Sequence, residues 1–443
     1  MDSLDALREG RLNGARQLHL ACGLTEFPRE IFALADSLEL LNLSGNALDA
    51  LPADIGRLHR LRVLFCSDNR FTELPPALGD CAALEMIGFK ANRIRSVPPS
   101  SLPPRLRWLI LTDNAIAQLP DTLGQRPAMQ KLMLAGNQLR ALPDSLAACG
   151  QLELLRLSAN RFEALPDWLL RLPRLAWLAF GGNPLTSAAE REALAAAALP
   201  GIRWDRLALQ EQLGEGASGV IRAADWADGE PTTSAVKLFK AAVTSDGWPA
   251  SEMAACIAAG VHPQLIPVRG RVEAHPEGGQ GLVLARIRAG YRNLAGPPSL
   301  TSCTRDIYAD DLRLPARAAL GIAARMASAA QHLHARGINH GDLYAHNMLW
   351  DGDADVILGD FGAASLLPPG RPALGEAVQR IEVRAFGCLL EELAAHCDAG
   401  DRAEAADIAA VARLTALSQR CMQPDVAARP LFDQIVQALA PVG

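Results

Sequence analysis

Four short stretches decide the fold of the second half of this chain: LGEGASGVI at 213–221, AVK at 235–237, HGDLYAHNML at 340–349 and DFG at 360–362. Each stretch alone is weak evidence, because Gly-x-Gly-x-x-Gly and Asp-Phe-Gly recur by chance in many loops. Their order and their gaps together indicate a nucleotide-phosphate site that carries out phosphoryl transfer.

The residue types in these stretches suit phosphate chemistry. Gly214, Gly216 and Gly219 allow backbone amides to approach phosphates that side chains would block. The 43 basic residues include only four lysines, and Lys237 is one of them. A lysine in a chain that otherwise uses arginine fits a site that needs a compact point charge.

The first half of the chain has a different organisation, a repeat of about 23 residues. Each repeat has a short apolar strand, then an asparagine, then an apolar anchor two residues later, and six of the seven anchors precede Leu-Pro or Val-Pro. The repeated asparagines are Asn46, Asn69, Asn92, Asn114, Asn137, Asn160 and Asn183. We predict a solenoid in which inward leucines form one core and each asparagine satisfies backbone groups at the end of a strand.

The outward face of these strands is unusually apolar. Its candidate partner-binding residues are Phe65, Met86, Trp108, Ile110, Met133 and Trp177. A patch of this kind indicates a binding surface, either for another protein or for the chain's own second domain. The alternative is that these large side chains merely shield one another.

A helical stretch, SAAEREALAAAA at 187–198, is predicted to close the last repeat with Ser187 as its N-cap. The following LPGIRWD, 199–205, is too short for a flexible linker.

Residues 1–204 resemble the intracellular leucine-rich repeat family, and residues 205–443 resemble the eukaryotic-like protein kinase family. The predicted fold class is an α/β leucine-rich repeat solenoid with a parallel β concave face, followed by a two-lobed α+β protein kinase fold. The small lobe would cover about 205–285 and the large lobe about 286–443.

The kinase resemblance implies ATP and Mg²⁺ as cofactors and supplies the roles of individual residues. Lys237 would hold the α- and β-phosphates with Glu252 as its helix-borne partner, although Glu252 could also be a solvated acid on a helix face. Leu284 would be the gatekeeper beside the hinge. The full set of implied ATP-binding residues is Leu213, Gly214, Glu215, Gly216, Ala217, Ser218, Gly219, Ile221, Ala235, Lys237, Leu284, Ala285, Ile287 and Leu349.

The catalytic loop follows a helix expected from about Pro315 to Arg336. By resemblance, Asp342 orients the attacking hydroxyl and accepts its proton, and Asn347 and Asp360 bind magnesium through oxygen. A central helix is expected over 382–393, and Arg429 would form the family's late ion pair. Nearby histidines, His332, His334, His340 and His346, could suggest a transition-metal site, but each has an ordinary place in the kinase pattern.

Several positions depart from that pattern. Gly341 replaces the arginine that reads an activation-loop phosphate, and Tyr344 replaces the lysine of serine/threonine kinases. His346 stands where tyrosine kinases have arginine. Only residues 363–381 separate DFG from the expected central helix, and Ser365 is their only hydroxyl residue. The platform that docks a peptide substrate is therefore expected to be reduced.

We predict an ATP- and Mg²⁺-dependent protein kinase that phosphorylates Ser or Thr, with the repeats recruiting a protein partner or substrate. Two alternatives stay open, a nucleotide-binding pseudokinase scaffold and a small-molecule kinase. The net charge of −6 gives no reason to expect nucleic acid.

No secretory signal is expected from MDSLDALREGRL, which has acidic residues and no apolar run, and no membrane span is expected. Its nine cysteines lack CxxC pairing and are expected to be free thiols in a reducing cytoplasm. Delivery into another cell is left open, and no oligomeric state is predicted.

Overall fold

A computed structural model describes residues 3–195, 199–216, 218–226, 234–240, 243–397 and 405–440. The chain divides into two units, Met1–Leu172 and Pro173–Gly443. The predicted α/β solenoid followed by a two-lobed kinase fold is confirmed.

The first unit repeats one motif, a three-residue strand followed by a turn and a short 3₁₀ helix. It begins with helix α1 (Leu4–Arg8), and its strands pair in parallel and in chain order. They are β1 (Gln17–His19), β2 (Leu40–Asn42), β3 (Val63–Phe65), β4 (Met86–Gly88), β5 (Trp108–Ile110), β6 (Lys131–Met133) and β7 (Leu154–Arg156). The 3₁₀ helices span Arg29–Leu34, Ile55–Arg57, Pro76–Asp80, Pro99–Ser101, Asp121–Gln125, Asp144–Ala148 and Leu169–Arg171.

The repeated asparagines form the expected backbone-binding ladder. The Asn137 side-chain oxygen accepts from the Ile116 amide at 3.0 Å, and its nitrogen donates to the carbonyls of Leu111 and Leu134 at 2.9 and 3.0 Å. Asn69 and Asn160 make equivalent contacts. Since an unpaired buried backbone group is costly, each asparagine stabilises two successive repeats at once.

The second unit opens with a strand of the repeat type, β8 (Trp177–Ala179), followed by helix α2 (Ser187–Ala195). Ser187 lies inside this helix and donates to the Pro184 carbonyl, so the predicted N-cap is wrong by one residue. Thr186 precedes the helix, and its hydroxyl donates to Glu190 at 2.8 Å. The last predicted helical residues, 196–198, lie outside the described residues. The proposed boundary between residues 204 and 205 stays a prediction.

A six-stranded sheet forms the first part of the kinase-like region, in the order β10-β11-β12-β14-β13-β9. All pairs are antiparallel except β13 with β9. Strand β9 is part of the short linker and forms one edge of the sheet. The strands are β9 (Gly201–Arg203), β10 (Leu207–Glu215), β11 (Gly219–Trp226), β12 (Ser234–Phe239), β13 (Val268–Glu273) and β14 (Gly281–Ala285). Helix α3 (Pro249–Ala259) begins with proline in its first turn and ends at Gly260, whose φ of 66° suits a helix stop.

The rest of the second unit is mainly helical. Its helices are α4 (Ala316–Ala335), α5 (Pro372–Ala395), α6 (Ala405–Cys421) and α7 (Phe432–Leu439), with 3₁₀ helices at Trp204–Arg206, Ala345–Asn347 and Val426–Ala428. Short strands surround the catalytic loop: β15 (Arg292–Asn293), β16 (Ile338–Asn339), β17 (Met348–Trp350), β18 (Val356–Leu358) and β19 (Ser365–Leu366). The helix expected from about Pro315 to Arg336 is confirmed as α4.

The central helix is longer than the sequence pattern indicated. It starts at Pro372 rather than Glu382, because a proline in the first turn of a helix loses no hydrogen bond. Only nine residues, 363–371, therefore lie between the DFG stretch and α5.

Candidate active site

The glycine-rich turn joins β10 to β11. A Cβ added to Gly219 would lie 2.5 Å from the Leu238 carbonyl oxygen, so the close approach of β12 requires glycine. Around Gly214 and Gly216 an added Cβ would meet nothing within 4 Å. The outer side of the turn is therefore open, as a loop that receives a phosphate must be.

Lys240 ties this turn to the sheet. Its ammonium donates to Glu215 at 2.8 Å and to the Gly216 carbonyl at 3.0 Å, while its backbone amide donates to the Ser218 carbonyl at 2.9 Å. Ala217, which was also predicted to contact ATP, lies outside the described residues.

The predicted adenine side is built from three adjacent strands. Ile221 pairs with Lys237, and Ala235 pairs with Leu284. Ile221, Lys237 and Leu284 line one cavity that also reaches Asp360.

The remaining predicted adenine contacts are not among the residues that line this cavity. The Ala285 amide donates to the Pro267 carbonyl at 2.9 Å, and Ala285 pairs with Ser234 in the sheet. Ile287 follows Arg286, which pairs with Glu211 at 2.9 Å. Leu213 is partly exposed at the end of β10, and Leu349 lies on β17 opposite Ile357.

Lys237 and Glu252 form a buried ion pair between β12 and α3. Burial lowers the pKa of Lys237, but the adjacent Glu252 carboxylate outweighs it and holds the pKa above its usual range. Burial raises the pKa of Glu252, which Lys237 opposes. Glu252 is 1% exposed, so the alternative of a solvated acid on a helix face is wrong.

Two of the predicted catalytic and metal-binding side chains, Asp342 and Asn347, are in direct contact. The Asn347 amide nitrogen donates to the Asp342 carboxylate at 2.7 Å and to the Asp342 carbonyl at 3.0 Å. Asp360 is exposed, has a left-handed φ of 48° and accepts from the Gly362 amide at 3.0 Å. Carboxylate and amide oxygens are ligands that Mg²⁺ accepts, so these donors fit that ion.

The four histidines near the loop have four separate partners. His332 contacts the Ala259 carbonyl, His334 contacts Glu382, and His340 contacts the Gly359 carbonyl. His346 contacts the buried Asp306 carboxylate through its ring and its amide, at 2.7 and 3.0 Å. Among the described residues no group of three His, Cys, Asp or Glu side chains could hold a metal.

The electrostatics of His346 follow from its surroundings. Burial lowers the pKa of this imidazole, but the hydrogen bond and charge of Asp306 outweigh it and raise the pKa overall. Asp306 lies 40 residues before His346, so no motif could identify it.

Gly341 occupies a position that no other residue fits well. Its φ is 72°, and an added Cβ would lie 2.6 Å from the Ala363 carbonyl oxygen and 2.7 Å from that of Leu178. Its amide donates to Glu382 at 2.6 Å. The departure from arginine is therefore a consequence of local packing.

Arg429 also differs from the prediction. It is 2% exposed, and in the part of the chain that the structure describes its guanidinium donates to three backbone carbonyls rather than to a carboxylate. The acceptors are Gln423, Arg380 and Pro173, at 2.9, 3.0 and 2.7 Å. The segment before α5 is short and contains no glutamate that could pair with Arg429. The predicted ion pair is therefore wrong.

The predicted concave binding face is less exposed than expected. Met86 and Met133 are buried, and the Phe65 ring fills the space above Gly88. The Lys131 ammonium lies 4.3 Å from the centre of the Trp108 ring. Ile110, on the same strand as Trp108, is half-buried. These side chains shield one another in part, as the alternative interpretation proposed.

Trp177 is placed differently from the rest of that set. It is 2% exposed and belongs to the second unit, where its ring stacks on Tyr344. It is therefore not available to another protein, and its contact with Tyr344 fits the other possibility given for the apolar face, a contact with the chain itself.

Sequence reasoning missed two residues beneath the glycine-rich turn. Thr244 and Asp246 line the cavity that contains Gly216, Lys237 and Asp360. They belong to the loop before α3, where no residue pattern marks them.

The comparisons agree with this geometry. The family described as protein tyrosine and serine/threonine kinase matches residues 207–371. Two leucine-rich repeat families match residues 104–162 and 60–81. A search of curated proteins found no match. No helix among the described residues is long and apolar enough to cross a bilayer.

Proposed function

Since the chain joins leucine-rich repeats to a domain of the protein kinase family, we propose that it transfers the γ-phosphoryl group of ATP to Ser or Thr hydroxyls of a protein. The observation that supports the proposal is the buried Lys237–Glu252 pair in a cavity that Asp360 also lines, with Gly359, directly before Asp360, bonded to the Asn347 carbonyl. Asn347 in turn donates to Asp342. A decayed kinase commonly lacks one of these residues.

The proposed step is an in-line displacement. The acceptor hydroxyl oxygen bonds to the γ-phosphorus, the bond to the β–γ bridging oxygen breaks, and ADP leaves. Asp342 orients the hydroxyl and accepts its proton, and Lys237 holds the α- and β-phosphates. Asn347 and Asp360 would hold Mg²⁺, which neutralises charge on the phosphates.

The preference for Ser or Thr rests on the short segment before α5. Asn339 pairs with Ser365, so this segment lies close to the catalytic loop. A peptide backbone resting there would be near Asp342, and a short hydroxyl side chain would reach it better than a phenol. The same short segment favours the second candidate, a small-molecule acceptor.

The repeats are proposed to recruit the protein partner through the half-buried side chains of this face, Phe65, Trp108 and Ile110, because Met86 and Met133 are buried. Repeat solenoids commonly bind along the concave face. A cytoplasmic location is proposed because none of the nine cysteines forms a disulfide. Delivery into a second cell fits the same observation.

The test uses full-length protein, Mg²⁺ and γ-labelled ATP with Ser, Thr and Tyr peptides, generic proteins and a metabolite panel. We expect label on Ser or Thr in the wild type and a loss of at least about 10³-fold in Asp342→Ala. Asp311→Ala, which removes an exposed carboxylate, is the control and should retain the wild-type rate.

The other outcomes identify the alternatives. Label that depends on Asp342 but appears only on a metabolite indicates a small-molecule kinase. Thermal stabilisation by ATP without any Asp342-dependent label refutes catalysis and favours the pseudokinase scaffold.

A further inference from the structure

The residues between the last 3₁₀ helix of the first unit and the kinase-like sheet are an integral part of the second unit. We define the β8 segment as residues 173–180. The Trp177 ring stacks on Tyr344 of the catalytic loop, with ring centres 4.3 Å apart and planes 4° from parallel. The Trp177 indole nitrogen donates to the Leu343 carbonyl at 3.4 Å. Both aromatic side chains are buried, so the stack fixes the residues that directly follow Asp342.

Backbone groups of the β8 segment are satisfied by side chains from both sides of the active site. The Asn339 side chain donates to the Leu178 carbonyl at 2.8 Å, and the Ser365 hydroxyl accepts from the Phe180 amide at 2.8 Å. Both side chains are buried. A strand edge that is left unpaired is costly, so these two bonds hold the β8 segment against the catalytic loop and against the segment after DFG.

Close packing continues at Gly341, where the Leu178 carbonyl fills the space into which a side chain would project. The family pattern has an arginine here that reads a phosphate on the activation loop. In this chain the backbone of the β8 segment lies in that position. A phosphorylated residue would therefore have no arginine at this place to bind.

Two further arginines hold the same segment from the helical side. Arg429 donates to the Pro173 carbonyl at 2.7 Å, and Arg384 donates to the Arg174 carbonyl at 3.1 Å. Both acceptors are main-chain oxygens, whose positions are fixed by the fold rather than by a flexible side chain.

Helix α2, which follows the β8 segment, supports the other half of the site. It packs against α3, and Ser251 donates to Glu190 at 3.3 Å. Ser251 directly precedes Glu252, the partner of Lys237. One continuous stretch of chain thus contacts both the catalytic loop and the helix that carries Glu252.

We propose that the β8 segment is a built-in support that aligns the catalytic loop for phosphoryl transfer without phosphorylation of residues 363–371, and that Trp177 is its main positioning residue. The inference rests on the proposed function. Ser365, the only hydroxyl residue in that stretch, is buried and bonded to Phe180, which agrees with a loop held by packing.

The test compares full-length wild type with Trp177→Ala, Trp177→Phe and the control Trp168→Ala. Trp168 is a half-buried tryptophan of the first unit that donates to Asp144 at 3.0 Å. A misplacement of about 1 Å can cost on the order of 10²-fold in rate. We therefore expect Trp177→Ala to lower kcat by roughly 10- to 100-fold with KM for ATP changed less than about threefold.

The two other variants should behave differently. Trp177→Phe retains an aromatic stack and should recover most of the rate. Trp168→Ala should match the wild type. Hydrogen exchange of peptides covering residues 338–349 should be faster in Trp177→Ala alone, and phosphatase treatment should leave the wild-type rate unchanged.

Each contrary result has a definite meaning. A folded Trp177→Ala with the kcat of Trp168→Ala, or a large loss of wild-type rate after phosphatase, overturns the inference. If Trp177→Ala does not fold, the Ser365→Ala variant is measured in its place. We expect its kcat to fall at least threefold, and an unchanged kcat overturns the inference. If the wild type transfers no phosphate, the proposed function fails. The support role is tested separately by hydrogen exchange: equal exchange of residues 338–349 in Trp177→Ala and Trp168→Ala refutes it.

Discussion

Replacing Gly341 with alanine should destabilise the second unit far more than a glycine-to-alanine change usually does. Gly341 combines a φ of 72° with two carbonyl oxygens at 2.6 and 2.7 Å from the position of a Cβ. Gly370 is the matched control, because its φ is 75° and a Cβ there would meet nothing within 4 Å. The pair therefore separates backbone strain from steric overlap.

The expected decreases in unfolding free energy follow from the backbone strain and the steric overlap. A left-handed backbone costs an L-residue about 1–2 kcal/mol, which both substitutions incur. Overpacking against fixed backbone adds about 1–3 kcal/mol at Gly341 alone, since carbonyls of Leu178 and Ala363 are less able to move than side chains. We expect unfolding free energies lower by about 2–5 kcal/mol for Gly341→Ala and about 1–2 kcal/mol for Gly370→Ala.

Thermal unfolding and urea titration of the full-length variants measure this difference. A gap of about 1–3 kcal/mol corresponds to roughly 2–10 °C in Tm for a unit of this size. Equal melting temperatures for the two variants would refute the steric reasoning, and with it the explanation of why this position lacks an arginine.

Two other predictions concern the repeats. Asn137→Ala should lower the unfolding free energy by about 1–3 kcal/mol in urea titration, because it leaves the buried Ile116 amide unpaired and removes one of two donors from each of the Leu111 and Leu134 carbonyls. The control, exposed Asn13→Ala, should change it by less than about 0.5 kcal/mol, and equal effects would contradict the ladder argument. Trp108→Glu should abolish partner capture by cross-linking while ATP still raises Tm, whereas the exposed Arg140→Glu should leave capture intact. Normal capture by Trp108→Glu would exclude the concave face as the binding surface.

Local patterns in the sequence were sufficient for most of the architecture. The asparagine period predicted the ladder, since each asparagine bonds backbone groups at fixed positions in its own and the preceding repeat. The glycine-rich turn, Lys237 and the HGDLYAHNML stretch marked the candidate site from residue type and spacing. The structure places Lys237 beside Glu252 and Asn347 beside Asp342. The free state of the nine cysteines was also predicted, and burial raises the pKa of Cys81 to about 12.

Other features needed the folded chain. Helix α5 begins ten residues earlier than the motif suggested, and this added part also packs, since Val378 and Ile381 are buried. Asp306 and Glu382 contact the catalytic loop from 40 and 41 residues away, and neither lies in a motif with that role.

The sequence by itself determined that repeats precede a phosphate-handling domain, because periodicity and motif spacing are local properties of the chain. Only the tertiary structure decided that Trp177 stacks on Tyr344 instead of facing a partner. Its contact with Leu343 spans 166 residues, and that of Leu178 with Asn339 spans 161. A strand pattern shows which side chains face outward. The residues that cover those side chains come from parts of the chain that are distant in sequence, and no local period encodes them.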